Sequence, residues 1–382
     1  MIKQVIILRD FVRGELGIDN SIYNSVNSLK DLFSYQINQA TKLPVVSIFD
    51  CIDANKFIEQ NNINNNFSNL QKWSFSFNNI SAEAEKYLIN SLQDSFVLGY
   101  HTPNILIETL IKNNIPFLDI FETAYRYMQD SFIGIRSNVK SVNDFTKENQ
   151  LSIHTMYVFA NYIKAYYNRR STLNITENSC LLIGQTLSDS VLINGNSFAS
   201  LFDYKDEIIK ISKEYDTIYY KQHPFERLSK EVLKFLKTIP NSQEIYSNTY
   251  QILSNPNIKL VAGLNSGVLY EAKFFGKKSK FFFNKVYNYT QESIESAPNV
   301  FTILNSNSHI FKINFWAEVL KDIVETSFVD TKEDVFFENY QELIANYLNI
   351  VSAFELKIYN KKKSGSVLKK LKEKIHRAIY KY

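Results

Sequence analysis

Four short stretches hold side chains able to do chemistry. In "LLIGQTLSDS" an apolar run, Leu181-Leu182-Ile183, breaks into a polar loop carrying Asp189. That aspartate is either an Asx turn or helix cap, or a carboxylate that reaches a cleft as a nucleophile. In "YYKQHPFER" Lys221, His223 and Glu226 follow another apolar run. A lysine supplies a positive point charge and a histidine a donor or proton carrier, which suits a phosphate leaving group. An ordinary loop histidine is the plainer alternative. In "VAGLNSGVLYEAKFFGKK" the turn Gly263-Leu264-Asn265-Ser266-Gly267 leads into a helix that Asn265 or Ser266 could cap. The free N–H groups of such a helix start favour phosphate. Glu271, one turn further, could accept from ribose hydroxyls or simply sit in a surface pair. In "IPFLDIFETAYRYMQDSFIGIRSN" the acids Asp119, Glu122 and Asp130 alternate with Arg126 and Arg136. Carboxylates beside arginines can hold a sugar acid or move a proton, or can merely be salt-bridged.

Each stretch needs a strand to carry it to one end of a sheet. Val5-Ile6-Ile7-Leu8, followed by Arg9-Asp10, has the pattern of a buried strand, and so do "LPVVSIF", "DSFVLGY" and "IPFLDIF". Helical spacing in "SAEAEKYLINSLQ" and "PNILIETLIKNN" fills the gaps between them. After a long helical stretch near 147–168 and the polar connector "RRSTLNITENS", the alternation resumes. "CLLIGQ", "DTIYYKQHP", "IKLVAGLNS" and "KSKFFF" read as strands, with helices between them. Strands alternating with helices predict parallel sheets, whose ligands sit beyond the carboxyl ends of the strands. The expectation is therefore α/β, with one domain over residues 1–170 and a second over 171–330. Helices and a basic tail fill 331–382.

A chain of 382 residues exceeds one ordinary core, and 45% apolar with 21% charged residues fits a globular protein. The formal charge of +4 is too small to indicate a nucleic-acid protein. Cys51 and Cys180 lie far apart and form no metal or redox pattern, which is consistent with a cytoplasmic chain. "MIKQVIILRD" lacks the apolar run and cleavage site of a signal peptide, and no stretch has the length of a membrane span. The tail "NKKKSGSVLKKLKEKIHRAIYKY" places Val367, Leu368, Leu371, Ile375 and Ile379 at helical spacing among lysines. Such a helix can lie on the anionic inner face of the cytoplasmic membrane, or pack its stripe on the body.

Taken together and in order, the four stretches resemble the capsule-polysaccharide biosynthesis family. Within it they look most like the retaining β-Kdo transferases of bacterial capsule and O-antigen assembly (glycosyltransferase family 99). The resemblance covers roughly residues 95–285. It implies a modified GT-B fold, two Rossmann-like domains facing a cleft, with C-terminal helices. It implies CMP-activated Kdo as donor, a glycan or glycolipid acceptor, and two displacements with net retention. The nucleophile falls on Asp189, and His223 would contact the CMP phosphate with Lys221 beside it. Further donor and nucleotide contacts are implied at Gln185, Ser188, Ser190, Asn265, Ser266, Gly267, Glu271 and Arg126. The second carboxylate, the base for the acceptor hydroxyl, is Asp119 or Glu122. Where family members often read "HPIRF" or "SPIRF", this chain has "TAYRY", keeping Arg126 without the proline. No metal and no cofactor beyond the CMP-sugar is expected. A CMP-activated nonulosonic acid, of the sialic or legionaminic type, is the alternative donor. A non-catalytic glycan- or membrane-binding component of a capsule assembly complex is the alternative of another class.

Overall fold

A computed structural model describes residues 1–128, 132–170, 172–186, 188–223, 230–284, 286–289, 300–332 and 334. The first half builds strands β1 (Gln4–Leu8), β2 (Val45–Ser47), β3 (Ser95–Tyr100), β4 (Phe117–Glu122) and β5 (Ile133–Ser137). Next come β6 (Ser179–Ile183), the short hairpin β7 (Ile193–Asn194) and β8 (Ser197–Phe198), and β9 (Thr217–Lys221). The chain then forms β10 (Ser242–Glu244), β11 (Ile258–Gly263), β12 (Lys278–Phe281), β13 (Asn288–Tyr289) and β14 (Val300–Ile303). Every residue of β3 and of β6 is buried. Helices cover both faces of these sheets, so the strands are continuous apolar runs rather than alternating ones.

The strands form two α/β sheets that border a common cleft. One is β10-β9-β6-β11-β12, parallel throughout. Its order reverses between β6 and β11, the point where a doubly wound sheet opens a crevice. The other runs β13-β14-β5-β4-β3-β1-β2. Its parallel portion, β2-β1-β3-β4, reverses between β1 and β3. Strand β5 then returns antiparallel to β4. Local signals place the helices between them. Ser81 caps Ala82–Leu92 by accepting from Ala84 N, and Ser68 forms a capping box ahead of Asn69–Asn78.

The expected second domain ran to residue 330, but the chain crosses back before then. Strand β14 pairs antiparallel with β5, and β13 pairs with β14, so both extend the first sheet. Helix Ile313–Leu320 then buries Ile313, Phe315, Trp316, Ala317, Val319 and Leu320 in the first sheet's core. Trp316 is fully buried and meets Phe33 edge-on at 5.5 Å. A helix apolar around most of its surface must be enclosed, and the open face beside helix Ser21–Thr41 encloses it. Of the expected C-terminal unit, the tail 361–382 lies outside the described residues.

Candidate active site

A cavity of about 600 Å³ lies between the two sheets, lined by the loops that leave β1, β3, β4, β6, β9 and β11 at their carboxyl ends. On the second sheet the two loops of the reversal point are tied together. Gln185 Oε1 accepts from Asn265 N at 3.0 Å, and its Nε2 donates to Asn265 O at 3.4 Å. Asp189 lines the cavity and also caps the 3-10 turn Ser190–Leu192, its Oδ1 accepting from Val191 N at 3.3 Å. The cap orients the carboxyl, so the turn and the cleft-facing alternatives are compatible. Lys221 and His223 leave the neighbouring strand β9 into the same cavity. Burial lowers the pKa of both. For His223 the Asp189 carboxylate opposes that shift, while Lys221 and Arg126 add to it. A carboxylate, a desolvated ammonium and a largely neutral imidazole thus share one wall.

The first sheet places the two acids of β4 differently. Asp119 is fully buried inside the strand and does not line the cavity. Its cross-strand neighbour on β5 is Arg136, whose Nε donates to Asp119 Oδ2 at 2.8 Å. Asp119 Oδ1 accepts from Thr102 N, and Arg136 also donates to Asn104 Oδ1 and Thr102 O. This is the salt-bridged alternative: the pair holds the β3 exit loop. Gly99 is needed for it, because a Cβ there would lie 2.5 Å from Asp119 Oδ1. Glu122 ends β4 and faces the cavity. Tyr100 Oη donates to its Oε1 at 2.8 Å and Arg126 Nη2 to its Oε2 at 3.2 Å. Burial raises the Glu122 pKa against the pull of Arg126 and Tyr100.

Glu271 lines the cavity, but its Oε1 is committed to joining the sheets. It accepts from Arg126 N at 2.6 Å, Tyr127 N at 3.3 Å and Tyr250 Oη at 3.0 Å. The ribose role expected for it therefore competes with a structural one. The same joint uses Gly267, where a Cβ would stand 3.2 Å from Ala124 O. Helix Gly267–Glu271 is only five residues long, and Ser266 precedes it without a side-chain capping bond. The capping expected of Asn265 or Ser266 is thus absent among the described contacts. The Asn265 side chain turns inward, with Nδ2 donating to Asn284 O and Oδ1 accepting from Tyr270 Oη.

Of the residues singled out from sequence, Gln185, Asp189, Ser190, Lys221, His223, Asn265, Ser266, Gly267, Glu271, Glu122 and Arg126 line the cavity. Ser188 is exposed outside it. Glu226 and Asp130 lie outside the described residues. The sequence reading missed the wall supplied by Arg9, Asp10, Arg13, Tyr100 and His101. His101 Nε2 accepts from Glu122 N, and burial holds its imidazole neutral, well below the usual range. The signal was present: Arg9-Asp10 and His101 follow apolar strands directly. Among the described residues no group of three His, Cys, Asp or Glu is placed to hold a metal ion.

No protein-family model and no curated protein matches the chain. Solved structures give faint likenesses. A β-Kdo 2,7 transferase of Thermosulfurimonas dismutans KpsC aligns at 16% identity and a TM-score of 0.33, covering 54% of this chain and 70% of that one. The β-Kdo 2,4 transferase of the same protein aligns at 14% and 0.30, over 49% and 69%. UDP-GlcNAc 2-epimerase from Neisseria meningitidis, bound to UDP-GlcNAc, aligns at 12% and 0.30, over 91% and 100%.

Proposed function

We propose that the chain is a retaining glycosyltransferase that moves Kdo from CMP-Kdo to a glycan acceptor by two displacements. One observation carries this reading: Asp189, Lys221, His223 and Glu122, four strand-end residues from three strands and two sheets, meet in one cavity. In the first step the Asp189 carboxylate attacks the anomeric carbon. The bond from that carbon to the phosphate oxygen breaks, and CMP leaves with the electron pair. Lys221 and the His223 ring N–H hold the phosphate as its charge grows. In the second step an acceptor hydroxyl displaces Asp189 while Glu122 takes its proton. A base works best with a pKa near the working pH, and burial moves Glu122 in that direction. Two inversions at one carbon give retention, as in a retaining glycosidase.

The test is incubation with CMP-Kdo generated in situ and a panel of glycan acceptors, followed by mass spectrometry and NMR of the anomeric configuration. Asp189→Ala should slow transfer by at least ~10³-fold. A sugar adduct should be found on the peptide containing Asp189. Undiminished turnover in the variant would remove Asp189 from the mechanism, and an inverted product would remove the two-step scheme. Competition by CMP-sialic or CMP-legionaminic acid distinguishes the nonulosonic alternative. Failure to bind CMP in calorimetry would favour a non-catalytic component. The basic tail 361–382 is proposed to hold the protein on anionic lipid. Its deletion should release the protein from phosphatidylglycerol liposomes in a flotation assay, and no change would favour packing on the body.

A further inference from the structure

The wall opposite Asp189 carries two arginines that the reaction above does not use. Arg9 follows β1 directly and Arg13 lies one turn later, in the short helix Phe11–Glu15. Both line the cavity at the reversal point of the first sheet, between β1 and β3, where such sheets take ligands. Each guanidinium lies over an aromatic ring, Arg9 over Tyr100 and Arg13 over Trp73, both with Cζ 4.8 Å from the ring centroid. Neither charge is well compensated. Among the described residues no ion pair involves Arg9, whose Nη1 donates to Ser25 Oγ, and Arg13 has only a 3.7 Å contact with Asp19. The Nε of each is buried without a hydrogen-bond partner. Asp10, the acid between them in sequence, is spent on Trp73 Nε1 at 2.7 Å and on Arg13 N at 3.2 Å. A guanidinium whose Nε is buried without an acceptor is costly to keep, and an arriving anion offsets that cost.

The wall is also connected to the proposed chemistry. Tyr100, under Arg9, donates to Glu122. Trp73, under Arg13, packs 5.7 Å from Phe198, in the hairpin that follows the Asp189 loop. We propose that Arg9 and Arg13 bind a carboxylate or phosphate on the acceptor, so that the acceptor is an acidic sugar. The word acceptor rests on the transferase reading; the anion site does not.

Binding rather than turnover separates the two. NMR titration would use methyl glucuronide, glucose 6-phosphate and neutral methyl glucoside as probes, with CMP affinity measured in parallel by calorimetry. The wild type should prefer at least one charged probe to the glucoside by about tenfold or more. Which charged probe wins identifies the anionic group. Arg9→Gln and Arg13→Gln should abolish the preference while leaving CMP affinity unchanged. Arg13→Lys, which keeps the charge and loses the fork, should retain part of it in a protein of unchanged Tm. Equal binding of charged and neutral probes, or a preference surviving both Gln variants, would overturn the proposal. So would a parallel loss of CMP affinity, which would assign the pair to the donor. A wild type that selects an anionic sugar but ignores CMP would leave the anion site standing and remove the transferase reading.

Discussion

Burial pushes the Glu271 carboxyl up to about 8, although Tyr250 and two backbone N–H groups favour its charged form. An ordinary glutamate in the unfolded chain titrates near 4.3. Between these values the folded state binds more protons than the unfolded state, so stability falls as pH rises through the window. Glu271→Gln keeps an acceptor for the three donors and cannot ionise. Its Tm relative to wild type should therefore climb from about pH 5 to about pH 8 and level off above that. Thermal melts across this range check it, and a difference independent of pH would contradict the assignment. Asp189 and Lys221 were identifiable as residues of interest because each follows an apolar run ending in polar residues. The commitment of Glu271 was not, since two of its donors are backbone groups some 145 positions away in the chain.

At the scale of elements, β4 and β5 place the two acids of "FLDIFETAYRY" differently. Strand β4 closes at Glu122, so Glu122 reaches the cavity while Asp119, three residues back, meets Arg136 across the ladder. Removing one partner of a buried pair strands the other charge. Arg136→Ala should cost about 3–5 kcal/mol in denaturant unfolding. The same variant should loosen Thr102 and Asn104 at the β3 exit. A cost below 1 kcal/mol would mean that water reaches Asp119. Sequence periodicity locates β4 but not its last residue, because a strand ends where its partners stop pairing. The antiparallel return of β5 was likewise hidden, since an apolar run such as "FIGIRS" shows a strand but not which way its partner runs.

At the scale of the molecule, the chain makes the first sheet, then the second, and then returns to complete the first. Trp316→Ala should therefore destabilise the first sheet by about 3–5 kcal/mol, although residue 316 follows the whole second sheet in sequence. Hydrogen exchange would localise the effect: lost protection in β1 and β3 is expected, and loss confined to β6 and β11 would contradict it. The sheets are joined by the Glu271 contacts and by Gly267 against Ala124, both at the cavity rim. Their mutual placement is thus tied to the geometry of the site.

The sequence by itself determined the α/β class, most strand positions and the loops at their carboxyl ends. Buried parallel strands require apolar runs, and the polar residues that follow them are conspicuous. It therefore marked Asp189, Lys221 and His223 as residues that can share one cleft. Only the tertiary structure decided that Asp189 can cap a turn and still face the cleft, that Asp119 is a buried counter-ion, and that Arg9 and Arg13 stand on the opposite wall. Those outcomes depend on which distant element packs against each side chain. Local spacing fixes the direction of a side chain along its own strand, but not what the fold brings to meet it.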